Sequence, residues 1–275
     1  MTESTLKFSL LLCTYAKENP QHLSQCLESI LAQTVLPDEL LIVKDGPLPH
    51  PLESVISGMS FPNILTVIAL PQNVSQGLAR AEGLKCAKYK WIAIMDSDDV
   101  CLPTRFEKQI AQIKANPKLD LIGGQVIEFD AIPGQTIAKR NVPTTHSEIL
   151  TFAKKRNPFS MMTTMFKRDL ALESGNFRYF PGFEDYDLWA RMISNGAICA
   201  NHPDVLVHVR VGNGMYARRK GLVYIRSEWR MQILLRKLGI TNLCNFIGNI
   251  ATRIPIRLLP HKGLEFIYKH FARST

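Results

Sequence analysis

Over its first part the chain alternates short apolar runs with stretches in which apolar residues recur every three or four positions. Phe8 to Cys13 is apolar except for Ser9, the pattern of a strand covered on both faces. Asn19-Pro20 then offers an N-cap followed by proline at the first helical position, and Leu23, Leu27, Ile30 and Leu31 form a helical stripe. Glu39 to Val43 predicts a second strand, closed by the turn residues Asp45-Gly46-Pro47, and Ile64 to Leu70 a third. A helix is expected from Gln76 to Lys88, then a strand from Trp91 to Met95 that runs into Asp96-Ser97-Asp98-Asp99. Pro103-Thr104 with Glu107 has the form of a helix start with a capping box, and Phe106, Ile110 and Ile113 keep the helical period. Strand-like pieces follow at 121–129, 163–166 and 205–211, with a helix at 187–195.

Strands alternating with helices predict an α/β fold whose mostly parallel central sheet is flanked by helices. Such sheets bind ligands at the carboxyl ends of their strands. The polar clusters fall there: Tyr15 to Glu18 after the first strand, Asp45 after the second, and Asp96 to Asp99 after the fourth.

The 275 residues, 46% of them hydrophobic, suffice for a packed core and argue against intrinsic disorder. No apolar run approaches the roughly 18 residues of a bilayer span, and Met1-Thr2-Glu3-Ser4 lacks a basic segment followed by an apolar one, so a secreted or membrane-spanning protein is not expected. Six cysteines lie far apart without a Cys-x-x-Cys pair, so reduced thiols of a cytoplasmic protein are expected, and no zinc site. The net charge of +9 is unevenly placed. From Arg210 onward there are 13 Lys and Arg against two acids, which leaves residues 1 to 209 slightly acidic.

That basic end carries helical stripes. Ile225, Trp229 and Ile233 share one side of 222–238, Leu243, Phe246, Ile247, Ile250 and Ile254 recur up to Pro255, and Leu264, Ile267, Tyr268 and Phe271 follow. Such helices either meet an anionic membrane surface or pack back onto the preceding domain or a second subunit.

Three carboxylates within Asp96 to Asp99 repel one another unless a cation or basic groups compensate them. A Mg²⁺ or Mn²⁺ ion shared with ligand phosphates fits such oxygen ligands, and the plain alternative is a solvated turn capping the next helix. Together with the opening strand and loop Phe8 to Tyr15, Val43-Lys-Asp45-Gly, Asn73-Val-Ser-Gln-Gly77-Leu-Ala-Arg80, Asn157-Pro158 and Phe183-Glu184-Asp185-Tyr186-Asp187-Leu188-Trp189, this cluster completes an ordered set. In that order the chain resembles the family 2 glycosyltransferases of the GT-A fold, of the bacterial capsule, exopolysaccharide and O-antigen type.

The resemblance implies a GT-A domain over residues 1–220 and a basic amphipathic helical extension over 221–275. It implies an inverting, metal-dependent transfer from a nucleoside-diphosphate sugar, UDP-linked by expectation, to a hydroxyl of a glycan or lipid-linked saccharide. Tyr15 would stack near the nucleobase, Asp45 would accept a base N–H, and Cys13 and Glu18 would line the same pocket. Arg80 would reach the pyrophosphate or hold the acidic cluster in place. Asp98 would bind Mn²⁺ or Mg²⁺, Asp96 the ribose or the metal's water shell, and Asp185 would be the general base. Arg218 and Arg219, between flexible glycines, would close over the donor phosphates, and Trp189 would pack rather than carry sugar. The bland alternatives are a loop aromatic for Tyr15, an Asp-Gly turn for Asp45, a surface arginine for Arg80 and acids favoured at a helix N-terminus for 184–187. Lys44, Pro47, Ala81 and Met161 depart from the family's common residues.

The implied location is the cytoplasm, either free or peripheral on the inner face of the cytoplasmic membrane. A sugar-nucleotide-forming nucleotidyltransferase is the competing enzyme class, but Thr14 to Glu18 is not its glycine- and arginine-rich loop. A nucleic-acid-binding module would explain the charge but not the acidic clusters, so no nucleic-acid partner is expected.

Overall fold

The computed structural model describes residues 6–61, 63–211 and 221–258. The elements run β1 (Phe8–Tyr15), α1 (Pro20–Leu31), β2 (Glu39–Asp45), α2 (His50–Gly58), β3 (Leu65–Ala69), α3 (Gln76–Cys86), β4 (Trp91–Asp96), β5 (Val100–Cys101) and α4 (Arg105–Ala115). There follow β6 (Leu121–Phe129), β7 (Ala138–Arg140), α5 (His146–Ala153), a 3₁₀ turn at Met161–Thr163, β8 (Met165–Lys167), α6 (Arg168–Glu173), α7 (Glu184–Ser194) and β9 (Cys199–Arg210). Helices α8 (Leu222–Lys237) and α9 (Leu243–Leu258) complete the described chain.

One sheet takes the order β3-β2-β1-β4-β8-β6-β9-β5, with β7 alongside β6. The long pairings β1–β2, β1–β4, β2–β3 and β6–β9 are parallel, as the alternation of elements predicts. The short β8 runs antiparallel between β4 and β6 and joins the two parallel halves. Leu10, Leu12, Leu40 and Ile42 point to one face, where α1 contributes Leu23, Leu27 and Ile30. Leu11, Leu41 and Val43 point to the other, against Ala79 and Leu84 of α3. This two-sided burial explains why β1 and β2 read as unbroken apolar runs.

The N-cap expected at Asn19 is present, its Oδ1 accepting from Gln21 N at 2.8 Å. The box expected at Thr104 is not: Thr104 makes no side-chain cap bond, and Glu107 instead accepts from Thr34 Oγ1 at 2.8 Å. A capping box does occur at Thr145 and Glu148, where it starts α5. In α8 the buried positions are Ser227, Glu228, Met231, Gln232 and Leu235, whereas the side with Ile225, Trp229 and Ile233 carries Trp229 at 44% exposure. Met231 and Leu235 pack on Phe180, Phe183, Tyr186 and Ala190 around α7. The polar positions turn to α9: Arg253 reaches Glu228 Oε1 at 3.1 Å, and Asn249 Nδ2 donates to Gln232 Oε1 at 2.9 Å and Lys154 O at 2.8 Å. Helix α9 continues past Pro255 to Leu258. All six cysteines are free thiols.

Candidate active site

Parallel register brings the ends of β1, β2 and β4 together, pairing Tyr15 with Asp45 and Cys13 with Asp96. The connection from β3 crosses to β4 on the far side of β1, so these ends border a topological switch point.

Asp45 is buried, with Val74 N donating to Oδ1 at 2.7 Å and Asn73 Nδ2 to Oδ2 at 3.0 Å. A carboxylate has about four acceptor positions, so capacity for a further donor remains. Gly46, at φ +88°, permits the close approach: a Cβ there would lie 2.8 Å from Asn73 N. Tyr15, which pairs with Asp45 across β1 and β2, is 39% exposed. Burial pushes the Cys13 thiol up to about 12, which keeps it neutral. Glu18 accepts from Ser97 Oγ and from Asn19 N, fastening the β1–α1 loop to the acidic loop.

Within that loop the acids differ. Asp99 is buried and accepts from Arg210 N at 2.8 Å, so it anchors β9 and does not cap the next helix. Burial, then the like charges of Asp98 and Asp96, push its carboxyl well above the usual range. Asp98 stays partly accessible. The Arg210 guanidinium donates to Asp98 O at 3.1 Å, to the carbonyls of Asp130 and Ala131, and to Gln25 Oε1 at 2.6 Å. It also lies over the Phe129 ring. The sequence places Arg210 only at the start of the basic end; in the fold it clamps the acidic loop.

Arg80 is 1% exposed, which excludes the surface arginine. Its Nη2 donates to Asp96 Oδ1 at 2.7 Å, and its Nη1 lies 3.8 Å from Glu184 Oε1. A single buried guanidinium therefore spans the acidic loop and the start of α7. Gly77 lets α3 approach that start, since a Cβ there would meet Arg178 O at 2.5 Å.

At α7 each acid has its own partner. Asp185 accepts from Asn157 Nδ2 at 2.6 Å and from Tyr186 N at 2.7 Å. Burial pushes its carboxyl up, and the Tyr186 N–H opposes that shift. Glu184 is pushed up by burial and drawn back by Arg80. Asp187 binds Arg191, whose guanidinium also holds the carbonyls of Ser174 and Asn176, so this acid fixes a turn. Trp189 is fully buried among Phe159, Phe166 and Phe177, as the packing reading expects. Asn73, Asn157 and Arg210 are the organising residues that sequence reasoning left without roles, although the first two stand inside quoted motifs.

Arg218 and Arg219 lie outside the described residues. Among the described residues no group of three His, Cys, Asp or Glu side chains is arranged to hold a metal alone. The available oxygen donors, accessible Asp98 beside Asp96, fit a hard ion that keeps one or two protein carboxylates and takes its remaining ligands from phosphates and water.

The sequence model for "Glycosyl transferase family 2" matches residues 9–175. An "Uncharacterized glycosyltransferase" of Haemophilus influenzae is 41% identical, covering 98% of this chain and 100% of its own. "Amylovoran biosynthesis glycosyltransferase AmsE" of Erwinia amylovora is 38% identical, covering 95% and 98%. The Escherichia coli "UDP-Gal:alpha-D-GlcNAc-diphosphoundecaprenol beta-1,3-galactosyltransferase" is 33% identical over 99% of both. S. aureus TarS 1-349 in complex with UDP-GlcNAc superposes with a TM-score of 0.67 at 17% identity, over 96% of this chain and 73% of that one. The Pyrobaculum calidifontis mannosyltransferase PcManGT with GDP-Man and Mn²⁺ gives 0.63 at 17%, over 98% and 76%. With its switch-point crevice and a family match across most of its sheet, the chain is a glycosyltransferase of the GT-A fold and belongs to glycosyltransferase family 2.

Proposed function

We propose that the chain is an inverting, metal-dependent glycosyltransferase of polysaccharide biosynthesis that moves a sugar from a UDP-sugar to a hydroxyl of a lipid-linked saccharide. The observation that carries this reading is the buried Arg80, which holds Asp96 of the donor-side loop on one arm and faces Glu184, next to the proposed base, on the other. Relatives named for amylovoran biosynthesis and for a diphosphoundecaprenol acceptor support the pathway class and the acceptor class.

In this mechanism Tyr15 stacks on the uracil and Asp45 accepts its N–H, with Cys13 and Glu18 walling the pocket. Asp96 would contact the ribose or the metal's water shell, and Asp98, with Asp96, would hold Mg²⁺ or Mn²⁺. When bound, that ion supplies Lewis-acid neutralisation of the leaving diphosphate. Arg218 and Arg219 are assigned to the donor phosphates. Asp185 takes the proton of the acceptor hydroxyl as its oxygen attacks the anomeric carbon opposite the diphosphate, inverting the stereochemistry. Asn157 and the Tyr186 N–H hold that carboxylate in one orientation.

Isothermal titration with UDP tests the donor assignment. Binding should require Mn²⁺ or Mg²⁺ and weaken about 100-fold in Asp98→Ala, in line with loss of a metal-holding group. Binding indifferent to both the ion and the substitution would overturn it.

The division into a catalytic domain over 1–220 and a basic helical extension over 221–275 belongs to the same proposal, as does peripheral contact with an anionic membrane from the cytoplasmic side. No helix among the described residues is long and apolar enough to cross a membrane. Leu222, Val223, Trp229, Leu243 and Ile247 are exposed on α8 and α9, and Trp229 meets Phe246 edge to face. Apolar residues of this kind beside Arg226 suit a headgroup interface. The full chain should float with anionic liposomes at physiological salt, and Trp229→Ser should reduce the floated fraction; failure of the wild type to float removes the contact.

A further inference from the structure

A cleft between the 178–180 turn, α7 and α8 takes no part in the chemistry above. Its volume is about 290 Å³, and Arg178, Arg230 and Lys237 line it together with Tyr179, Phe180 and Asp187. The one acid does not neutralise these cations, because its carboxylate is bound by Arg191. Like charge is crowded here: a Cβ on Gly175 would lie 2.6 Å from Arg178 Nη2 and 3.3 Å from Arg191 Nη1. Arg230 is set in place over the Phe180 ring, 4.7 Å from its centroid.

Two arginines and a lysine lining one cleft suit phosphate oxygens, which arginine grips through paired N–H groups. The volume sits at the lower end of small-molecule clefts, about 300 Å³, and so suits a small anion better than a whole nucleotide sugar. We propose that this cleft is a second anion site, separate from the donor pocket, that takes a phosphate or diphosphate group.

The backbone of the segment that carries Arg178 passes close to Glu184 at the start of α7. The point at which a Gly77 Cβ would sit is 2.5 Å from Arg178 O and 3.2 Å from Glu184 Cβ. Two sources share the chemistry: the diphosphate of a lipid-linked acceptor, whose relevance rests on the function proposed above, and a free diphosphate acting as an effector.

The test is calorimetric titration of the full chain with inorganic pyrophosphate in metal-free buffer, where the acidic loop disfavours the anion at the donor pocket. The wild type should bind one equivalent. Arg178→Gln combined with Arg230→Gln should weaken this about tenfold or more, while UDP binding with Mn²⁺ stays unchanged and reports an intact fold. No pyrophosphate binding, equal binding by the double variant, or loss of binding in Asp98→Ala would each overturn the site. The readout needs neither donor turnover nor acceptor, so it stands or falls separately from the transfer reaction. Steady-state kinetics then separate the sources. A rise in KM in the double variant for a saccharide-diphosphate-lipid, but not for the same saccharide on a neutral aglycone, assigns the cleft to the acceptor. Lost pyrophosphate binding with both KM values unchanged assigns it to a free anion.

Discussion

Two acidic clusters face each other across Arg80, similar in composition and opposite in arrangement. In the loop after β4, Asp99 is buried on a backbone N–H, Asp96 is gripped by Arg80, and Asp98 keeps access to solvent. At the start of α7, each acid is assigned to a different group: Glu184 to Arg80, Asp185 to Asn157, Asp187 to Arg191. The first arrangement keeps three carboxylates close together, which suits the ion proposed for it. The second isolates one carboxylate in a desolvated, oriented position, which suits proton transfer. Partners, rather than acid count, separate the loop proposed to hold an ion from the acid proposed as the base.

The largest effect that would break this contrast is expected at Asp185. Asp185→Asn should leave metal-dependent UDP binding intact and lower transfer by about 10²–10⁴-fold; transfer near the wild-type rate would show that the base lies elsewhere. Next comes the shared bridge. Arg80→Met leaves Asp96 and Glu184 without their common cation and should cost about 3–5 kcal/mol in denaturant unfolding, the range for stripping one partner from a buried pair. Unchanged stability would mean that the two clusters are held independently.

The smallest effect sharpens the base assignment through pH. Burial raises the Asp185 carboxyl, and a base works only when ionised, so kcat/KM should rise with pH along an acid limb lying above the ordinary value of about 3.9. The Asn157 contact opposes that shift. Asn157→Ala should therefore move the limb to still higher pH and lower kcat about tenfold, as expected for one lost charge-assisted hydrogen bond. A fall in activity with the limb unmoved would reduce Asn157 to a packing role.

Most of the parallel half of the sheet was legible because burial on both faces writes continuous apolar runs, and because proline and asparagine mark the start of α1. The region between Gly46 and Ile64 was not read as a helix, although α2 lies there, since His-Pro-Leu after Pro49 gives a loop-like signal and only Leu52 and Ile56 are buried. In α8 the apolar side with Trp229 is not the side that packs inward, for a different reason. The buried Glu228 and Gln232 of this helix are satisfied by Arg253 and Asn249 of α9, and no periodicity rule anticipates a polar pair matched by a helix still to come. Thr104 and Thr145 make the same point for caps: both precede a glutamate at the required spacing, but Glu107 is drawn away to Thr34, a residue 73 positions earlier.

By itself the sequence determined the α/β alternation, the strand ends on which Tyr15, Asp45 and Asp96 sit, and the ordered motifs that mark the family, because these depend on local pattern and spacing. Tertiary structure alone decided that Arg80 is buried between two acidic clusters, that Arg210 clamps the loop of Asp98 and Asp99, and that Asn157 orients Asp185. Those pairings join residues 16 to 112 positions apart. Partners so distant are chosen by whichever chain folding brings within hydrogen-bond reach, and burial then makes the unpaired alternatives too costly to persist.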